Sequence, residues 1–271
     1  MENTGYFSIA SGSAGNSSLF FCENTRILID MGVSVRRIET ALKRIGLTAD
    51  MLDAVIVTHE HTDHIKGLST FAKKYSVPVY MTNGTAHTAL QKVPHAENII
   101  RKFSGGESFY IGDIKIKSFL TPHDANESVG YLIYAKDKTF GFATDLGFVP
   151  ENIKNMLCQC DFVVLESNHD INMLKNSDYP YQLKQRVLGN YGHLSNTACA
   201  ECVISLAESG VKAIVLAHLS EQNNTPVMAL RNANQALNTN GLTCELFVAP
   251  VKEMEKPIFF DMEEDKCLVS G

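Results

Sequence analysis

The chain has 271 residues, which is enough for one large domain or two small ones with a well-buried core. Hydrophobic residues make up 45% of it and charged residues 20%, a balance that is typical of globular proteins and argues against extensive disorder. The formal net charge of −6 argues against a protein that collects nucleic acid through a diffuse positive field. A nuclease whose carboxylates bind cations is still compatible with that charge.

Hydrophobic periodicity predicts short strands and helices in the first part of the chain. Val35, Ile38, Leu42 and Ile45 recur at the spacing of one helix face, and Gly46 can end that helix. A continuous apolar run at 54–57 is typical of a strand that is buried on both faces. By the same criteria we predict strands at 6–10, 17–23, 26–30, 54–57 and 77–81, and helices at about 35–45, 65–75 and 85–91.

The middle of the chain changes to β structure, and the second half alternates strands with helices. We predict strands at 108–110, 114–119, 129–135, 139–143, 162–166, 213–217 and 245–248, and helices at about 181–188, 196–209 and 227–237. No linker, repeat or low-complexity segment interrupts this order. We therefore predict one domain over residues 1–271, of the α/β class, with mixed sheets between helical layers.

Sorting signals and cysteines indicate the compartment. The N-terminal segment has no basic region followed by an apolar run, and no stretch approaches about 18 consecutive apolar residues. Seven cysteines, an odd number, are scattered along the chain, which favours reduced thiols over a disulfide framework. We expect a soluble cytoplasmic protein with no membrane partner.

Four side chains of metal-ligand type follow the strand predicted at 54–57, namely His59, His61, Asp63 and His64. Imidazole nitrogens and carboxylate oxygens together suit Zn, Mn or Fe, and clustering them without a cation is costly. Alternate residues of an extended segment point the same way, so His59 and His61 can share one ion. Asp63 and His64, past the turn, can face a second ion.

Three further residues of ligand type, His123, Asp145 and His218, lie at or just after predicted strands. Strand ends that meet on one scaffold are a common place for a shared site. The two groups together predict a site for two divalent metal ions, and the ligand types leave Zn, Mn and Fe open. No organic cofactor is indicated.

The motif His59-x-His61-x-Asp63-His64, followed by the other three residues in this order, resembles the metallo-β-lactamase superfamily over nearly the whole chain. The resemblance implies a four-layer αββα sandwich with a dinuclear site at the sheet ends. The ligand sets that it implies are His59, His61 and His123 for one ion and Asp63, His64 and His218 for the other, with Asp145 bridging them.

Several other stretches are similar to the YycJ-type (WalJ) subgroup, bacterial proteins regarded as DNA exonucleases. These stretches are SGSAGNSS at 11–18, ESNHD at 166–170, YGHLSN at 191–196 and HLSEQNN at 218–224. The resemblance implies a DNA substrate and cleavage of duplex DNA in the 5′ to 3′ direction. Oligomeric state does not follow from these stretches.

His193 lies outside the predicted ligand set. Two divalent ions can lower the pKa of a bound water to about 7 and can clamp the attacking and leaving oxygens. They supply no proton for a departing alkoxide, so we predict His193 as the proton donor, with a capping or core histidine as the alternative. A histidine at a similar place acts beside the metals in phosphodiesterases that this chain resembles. Asp63 is the second predicted catalytic residue.

Five polar residues are predicted to contact substrate, namely Ser13, Asn16, His169, Asn196 and Asn223. Ser13 and Asn16 lie in a glycine-rich turn whose backbone N–H groups could bind phosphate, although building a tight turn is the competing explanation. His169 could instead make a structural hydrogen bond. Asn223 could contribute to capping the helix that follows.

Other functions compete with a DNA exonuclease. A hydrolase of small phosphodiesters or cyclic nucleotides would use the same two metal ions. A thioesterase or a lactamase is disfavoured because neither needs the His193 motif. A non-catalytic metal-binding regulatory module would keep the ligands and would not need His193.

Overall fold

The computed structural model of the protein describes residues 4–260. In this range the strands are β1 (Gly5–Ala10), β2 (Ser17–Cys22), β3 (Thr25–Ile29), β4 (Ala54–Ile56), β5 (Val79–Thr82), β6 (Ile100–Phe103), β7 (Ser108–Ile111), β8 (Ile114–Leu120), β9 (Val129–Ala135), β10 (Lys138–Ala143), β11 (Phe162–Glu166), β12 (Ala213–Ala217), β13 (Glu245–Val248) and β14 (Ile258–Phe259). The helices are α1 (Val35–Arg44), α2 (Thr62–Ile65), α3 (Leu68–Lys74), α4 (Asn83–Lys92), α5 (Glu151–Leu157), α6 (Ile171–Asn176), α7 (Tyr181–Leu188), α8 (Asn196–Glu208) and α9 (Pro226–Thr239).

The strands form two mixed sheets of seven strands each. The spatial order is β14-β1-β2-β3-β4-β5-β6 in the first sheet and β13-β12-β11-β10-β9-β8-β7 in the second. Strands β3 to β6 run parallel to one another, and so do β10 to β13. The other neighbours pair antiparallel. Parallel neighbours need crossover connections, and helices in these connections cover the sheet faces.

Three apolar cores define the layers. The central core joins the two sheets, with Phe20 and Ile56 from the first and Tyr131 and Val164 from the second. The first sheet packs its other face against α1, α3 and α4, and the second packs its other face against α5, α8 and α9. The structure is therefore the four-layer αββα sandwich that the sequence resemblance implies.

Strand β2 shows why this fold produces continuous apolar runs. Leu19 and Phe21 point into the core beneath the helices, whereas Phe20 and Cys22 point into the core between the sheets. All six residues of the strand are buried. Successive side chains of a strand point to opposite faces, so a strand with two buried faces needs apolar residues at consecutive positions.

One of the predicted helices is divided in the structure. The segment predicted as a single helix at 65–75 forms two helices, α2 and α3, which are separated at Gly67. The N–H of Gly67 donates to the carbonyl oxygen of Met31 at 2.8 Å instead of continuing a helix. A Cβ at this position would lie 2.6 Å from the carbonyl oxygen of Val33, so the close approach requires glycine.

Four short elements were not predicted, namely α5, α6, β6 and β14. The two helices span less than two turns, β14 has two residues, and two of the four residues of β6 are charged, so none of them shows a clear hydrophobic pattern. Six cysteines in the described range are free thiols, whereas Cys267 lies outside it. Between residues 4 and 260, no helix has both the length and the apolar character needed to cross a membrane. One domain over 1–271 stays a prediction.

Candidate metal centre

The predicted ligands follow strand ends that lie along one edge of the sandwich. His59 follows β4, His123 follows β8, Asp145 follows β10 and His218 follows β12. Strands β8 and β10 run in the same direction because each is antiparallel to β9, and parallel pairing carries that direction to β11 and β12. In sheets of this kind, the carboxyl ends of parallel strands are the usual place for a site.

The structure brings the seven predicted ligands together. The ligand atoms of His59, His61 and His123 lie within 4.8 Å of one another, and so do those of Asp63, His64 and His218. Asp145 lies between the two groups, because its Oδ1 is 3.8 Å from His123 Nε2 and its Oδ2 is 3.5 Å from His64 Nε2. These groups have the same members as the two ligand sets that the resemblance implies.

Buried carboxylates hold the outer nitrogen of two rings. Nδ1 of His64 lies 2.8 Å from Asp30 Oδ2, and Nδ1 of His218 lies 2.8 Å from Glu166 Oε1. A carboxylate accepts hydrogen bonds, so each ring carries a proton on Nδ1 and turns Nε2 toward the cluster. This arrangement is common for metal-binding histidines.

Three atoms of the cluster are buried without a hydrogen-bond partner, namely His59 Nε2, His218 Nε2 and Asp145 Oδ2. Each such atom costs roughly 1–3 kcal/mol when nothing satisfies it. Divalent transition-metal ions accept electron pairs from imidazole nitrogens and carboxylate oxygens. The buried His and Asp clusters therefore fit a dinuclear metal site.

Carboxylates and neighbouring histidines shift the pKa values of the histidines in the cluster. Burial by itself would lower the pKa of His218, but the surrounding carboxylates, led by Asp145 and Asp63, raise it to about 10. His59 has a lowered pKa because it is buried and lies among other histidines. Carboxylates that raise the pKa of a buried histidine also favour metal cations.

Backbone strain is concentrated in the same place. Asp30, Asp145 and His218 have φ angles of 61°, 58° and 58°. Glu23 and Lys136, both in turns, are the other non-glycine residues with positive φ in the described part of the chain. Strained residues of this kind cost about 1–3 kcal/mol each and tend to cluster at functional sites. Here the strain sets the direction of ligand-type side chains.

A cleft of about 230 Å³ opens at the metal centre. The cluster contributes His61, Asp63, Asp145, His193 and His218 to its lining. Helix α7 and the residues before it contribute Tyr179, Leu183, Arg186 and Val187, and polar loops contribute Ser13, Asn168, Ser220 and Asn223. The cleft therefore combines metal-ligand residues, an apolar surface and one arginine.

Two of the five residues predicted to contact substrate, Ser13 and Asn223, line this cleft. Asn16 does not line it and instead supports the cluster. Its Nδ2 lies 3.1 Å from His64 Nε2, and its Oδ1 accepts a hydrogen bond from the N–H of Gly12 at 2.9 Å. The side chain of Asn16 therefore helps to build the polar turn, which was the alternative to a contact with phosphate.

Asn196 and His169 also lie away from the cleft lining. Asn196 is buried and exchanges hydrogen bonds with the side chains of Ser167 and Asn224, at 2.7 and 2.9 Å. His169 is 1% exposed, and neither of its ring nitrogens has a hydrogen-bond partner. Burial lowers the pKa of His169 to about 4. Direct contact with substrate is therefore not supported for either residue, because protein surrounds both side chains.

His193 lines the cleft beside the ligand set. Its Nδ1 lies 2.8 Å from Glu166 Oε1, and its side chain is 16% exposed. The contact with Glu166 occupies Nδ1 and leaves Nε2 to face a substrate. His193 also groups with Asp145, Glu166 and His218 within 4.8 Å, so metal ligation is the alternative role for it.

Sequence reasoning assigned no role to Glu166 and Asp30. Glu166 ends the buried strand β11, and Asp30 directly follows β3. Burial opposes ionisation of Glu166, but the nearby His193 and His218 hold its pKa well below the usual range. A carboxylate at the end of a buried apolar strand is the signal that identified Asp145, and it was present at both positions.

Comparisons with known proteins agree with this geometry. A family profile described as "Beta-lactamase superfamily domain" matches residues 25–219. The chain is 35% identical over 240 residues to "Exodeoxyribonuclease YycJ" of Bacillus anthracis, covering 87% of this chain and 90% of that protein. It is 36% identical over 229 residues to "Exodeoxyribonuclease WalJ" of Streptococcus pneumoniae serotype 2, covering 83% of this chain and 84% of that protein.

A solved structure supports the fold. The metallo-β-lactamase fold protein YhfI from Bacillus subtilis superposes with a TM-score of 0.70 at 16% identity, over 92% of this chain and 98% of that chain. The profile match and the two relatives of about one-third identity carry the family assignment. The chain therefore belongs to the metallo-β-lactamase-fold superfamily and, within it, to the YycJ/WalJ-type subgroup.

Proposed function

We propose that the protein is a metal-dependent phosphodiesterase that acts as a DNA exonuclease, in the 5′ to 3′ direction on duplex DNA. The observation that carries this proposal is the position of His193, which Glu166 holds in the cleft beside the ligand set. Phosphodiester cleavage releases an alkoxide, which needs a proton, and a positioned histidine supplies one. The printed names of the YycJ and WalJ relatives support DNA as the substrate.

The proposed ligand sets are the two groups on either side of Asp145. His59, His61 and His123 would hold one ion, and Asp63, His64 and His218 would hold the other, with Asp145 shared between them. When bound, two divalent ions would lower the pKa of a water and stabilise negative charge on phosphate oxygens. Zn, Mn and Fe all suit this donor set.

His193, Glu166 and Asp63 would have separate roles in the reaction. Nδ1–H of His193 donates to Glu166, so it is Nε2–H of the protonated ring that would donate to the leaving oxygen. Glu166 fixes the direction of the His193 ring, because both carboxylate oxygens of Glu166 accept hydrogen bonds from the protein. Asp63 lines the cleft and is one of the residues that would hold an ion there.

Competing functions make different demands on the same residues. A hydrolase of small phosphodiesters would also use His193, and a cleft of about 230 Å³ would admit such a substrate. A thioesterase has less need of a proton donor in this position, because thiolate leaves without one. A metal-binding regulatory module would have no use for the pairing of His193 with Glu166.

The decisive experiment compares substrates side by side, with Mn and Zn supplied separately. We expect end-labelled linear duplex DNA to be degraded from an end, while closed circular DNA of the same sequence stays intact. Turnover of a thioester and a β-lactam should be lower by orders of magnitude. Cleavage of a small chromogenic diester with no attack on linear DNA would favour the small-substrate hydrolase, and full metal content with no hydrolysis would favour the regulatory module.

A further inference from the structure

Arg186 and Asp124 form an ion pair at the edge of the metal centre. Nε of Arg186 lies 2.5 Å from Asp124 Oδ2, and Nη2 lies 3.0 Å from Oδ1. Oδ1 of Asp124 is in turn 3.6 Å from His123 Nε2 and 3.9 Å from His61 Nε2. A carboxylate that touches one predicted ligand set therefore anchors the guanidinium group.

The guanidinium group is only partly used by this pair. Arginine has five N–H donors in a planar arrangement, and Asp124 contacts two of its three nitrogens. The side chain is 49% exposed and lines the cleft, so the remaining donors face solvent there. Among the residues that line this cleft, Arg186 alone has a permanent positive charge.

Helix α7 fixes Arg186 relative to His193. The N–H of His193 donates to the carbonyl oxygen of Val187 at 3.0 Å. Gly192 passes so close to the end of α7 that a Cβ there would lie 2.2 Å from the carbonyl oxygen of Arg186. The proposed proton donor and the arginine are therefore held by one short backbone assembly.

The same part of the cleft offers an apolar surface. Tyr179, Leu183 and Val187 line it beside Arg186. Nucleic-acid-binding clefts combine a positive charge for the backbone with apolar or aromatic surface for the bases. The distribution of charge and apolar surface at α7 is therefore suited to a nucleotide unit next to the bond that is cut.

We propose that Arg186 binds the phosphate adjacent to the scissile phosphate, so that the site recognises a polynucleotide strand and not an isolated diester. This inference rests on the proposed phosphodiesterase function and adds a specificity residue to it. A guanidinium group matches two oxygens of a phosphate, and the pairing with Asp124 holds its plane in advance. A small chromogenic diester has one phosphate, so it offers no second phosphate for Arg186 to bind.

The test replaces one charge on each side of this contact. The substrate is labelled duplex DNA in which an uncharged methylphosphonate replaces the phosphate on one or the other side of the bond that is cut. For one of these positions, we expect kcat/KM of the wild-type protein to fall by roughly 10- to 100-fold, the usual size of a hydrogen bond to a charged group. Arg186→Ala should show that loss on unmodified DNA and no further loss on modified DNA.

Matched variants separate this role from a structural one. Arg186→Lys keeps the charge but not the planar group, and it should fall between the wild type and Arg186→Ala. Arg231→Ala removes an exposed arginine from α9, away from the cleft lining, and should behave like the wild type. Arg231→Ala should also hydrolyse the chromogenic diester at the wild-type rate, and any loss by Arg186→Ala on that substrate should be much smaller than its loss on DNA. The slope of log KM against log salt should fall by about 1 in Arg186→Ala alone.

The outcomes distinguish this inference from the proposed function. Failure of the wild-type protein to degrade any DNA would contradict the proposed function. If the wild type degrades DNA but tolerates the methylphosphonate on both sides, the role of Arg186 is wrong and the nuclease function stands. Equal losses by Arg186→Ala on DNA and on the chromogenic diester would also overturn the role, because they would indicate damage to the metal centre.

Discussion

Oε1 of Glu166 accepts a hydrogen bond from Nδ1 of His193 at 2.8 Å. The same oxygen accepts one from Nδ1 of His218, also at 2.8 Å, while Oε2 accepts from the N–H groups of Leu146 and Leu194. One buried carboxylate thus connects a proposed metal ligand with the proposed proton donor. A change at Glu166 should affect metal binding and catalysis together.

Glu166→Gln should lower kcat for phosphodiester cleavage and weaken binding of one metal ion, each by about 10- to 100-fold. An amide keeps the shape, but in either orientation its NH2 group faces donors, which are the two histidine Nδ1–H groups on one side and the N–H groups of Leu146 and Leu194 on the other. Steady-state kinetics and metal titration measure the two effects. Glu127→Gln is the matched control, because Glu127 also accepts two backbone N–H bonds, from Gly84 and Gly105 at 2.7 Å each, but outside the cleft lining. A Glu166→Gln variant with wild-type rate and affinity would contradict this role.

The purified, metal-loaded protein should contain close to two transition-metal ions per chain. Asp63→Ala should remove mainly one of them, because the ligand atoms of His59, His61 and His123 still lie within 4.8 Å of one another. Elemental analysis of both proteins gives the stoichiometry. Asp170→Ala, which removes a carboxylate that caps α6, should keep both ions. A wild-type stoichiometry of one or below would rule out the dinuclear site.

His193→Ala should keep both metal ions and slow the cleavage of DNA by roughly 10²- to 10⁴-fold, the usual contribution of a positioned acid. The loss should be smaller on a nitrophenyl diester, because nitrophenolate leaves without being protonated. Rates on both substrates and metal analysis are the measurements. Loss of a metal ion would identify His193 as a ligand, which its grouping with Asp145, Glu166 and His218 allows. Equal losses on both substrates would indicate that it positions phosphate.

His169 should make the protein less stable in mild acid. Burial lowers the pKa of His169 from 6.5 to about 4, so the unfolded state binds this proton more tightly than the folded state does. The associated stability is present above pH 6.5 and is lost as the pH falls toward 4. When the pH falls from 7 to 4.5, protonation of His169 should therefore lower the free energy of unfolding by about 2 kcal/mol.

Replacing His169 by Gln should remove that part of the pH dependence. Urea unfolding of both proteins at the two pH values measures it, and the difference between them cancels the contribution of the metal site, since both keep the same ligands. His87→Gln is the control, because His87 is exposed on α4 and should show no such difference. Parallel pH curves for the wild type and His169→Gln would show that His169 is not held in its neutral form.

The sequence by itself predicted most strands and helices and the seven ligand-type residues, and the resemblance of the motif order to a known superfamily implied the αββα fold and the two ligand sets. Both signals are local in the chain: apolar runs mark strands such as β2 and β12, and a polar cluster such as His59 to His64 stands directly after one of them. The elements α5, α6, β6 and β14 were not predicted, because the helices span less than two turns, β14 has two residues and half of β6 is charged.

Only the tertiary structure decided which polar residues face the cleft. Glu166 and His193 are 27 positions apart in the chain, and Arg186 and Asp124 are 62 apart, so no spacing in the sequence predicts either pair. Conversely, His169 and Asn196 have the residue types of a binding site but are enclosed by packing. Burial and the partners of a side chain depend on which loops the two sheets bring together, and residue type alone does not carry that information.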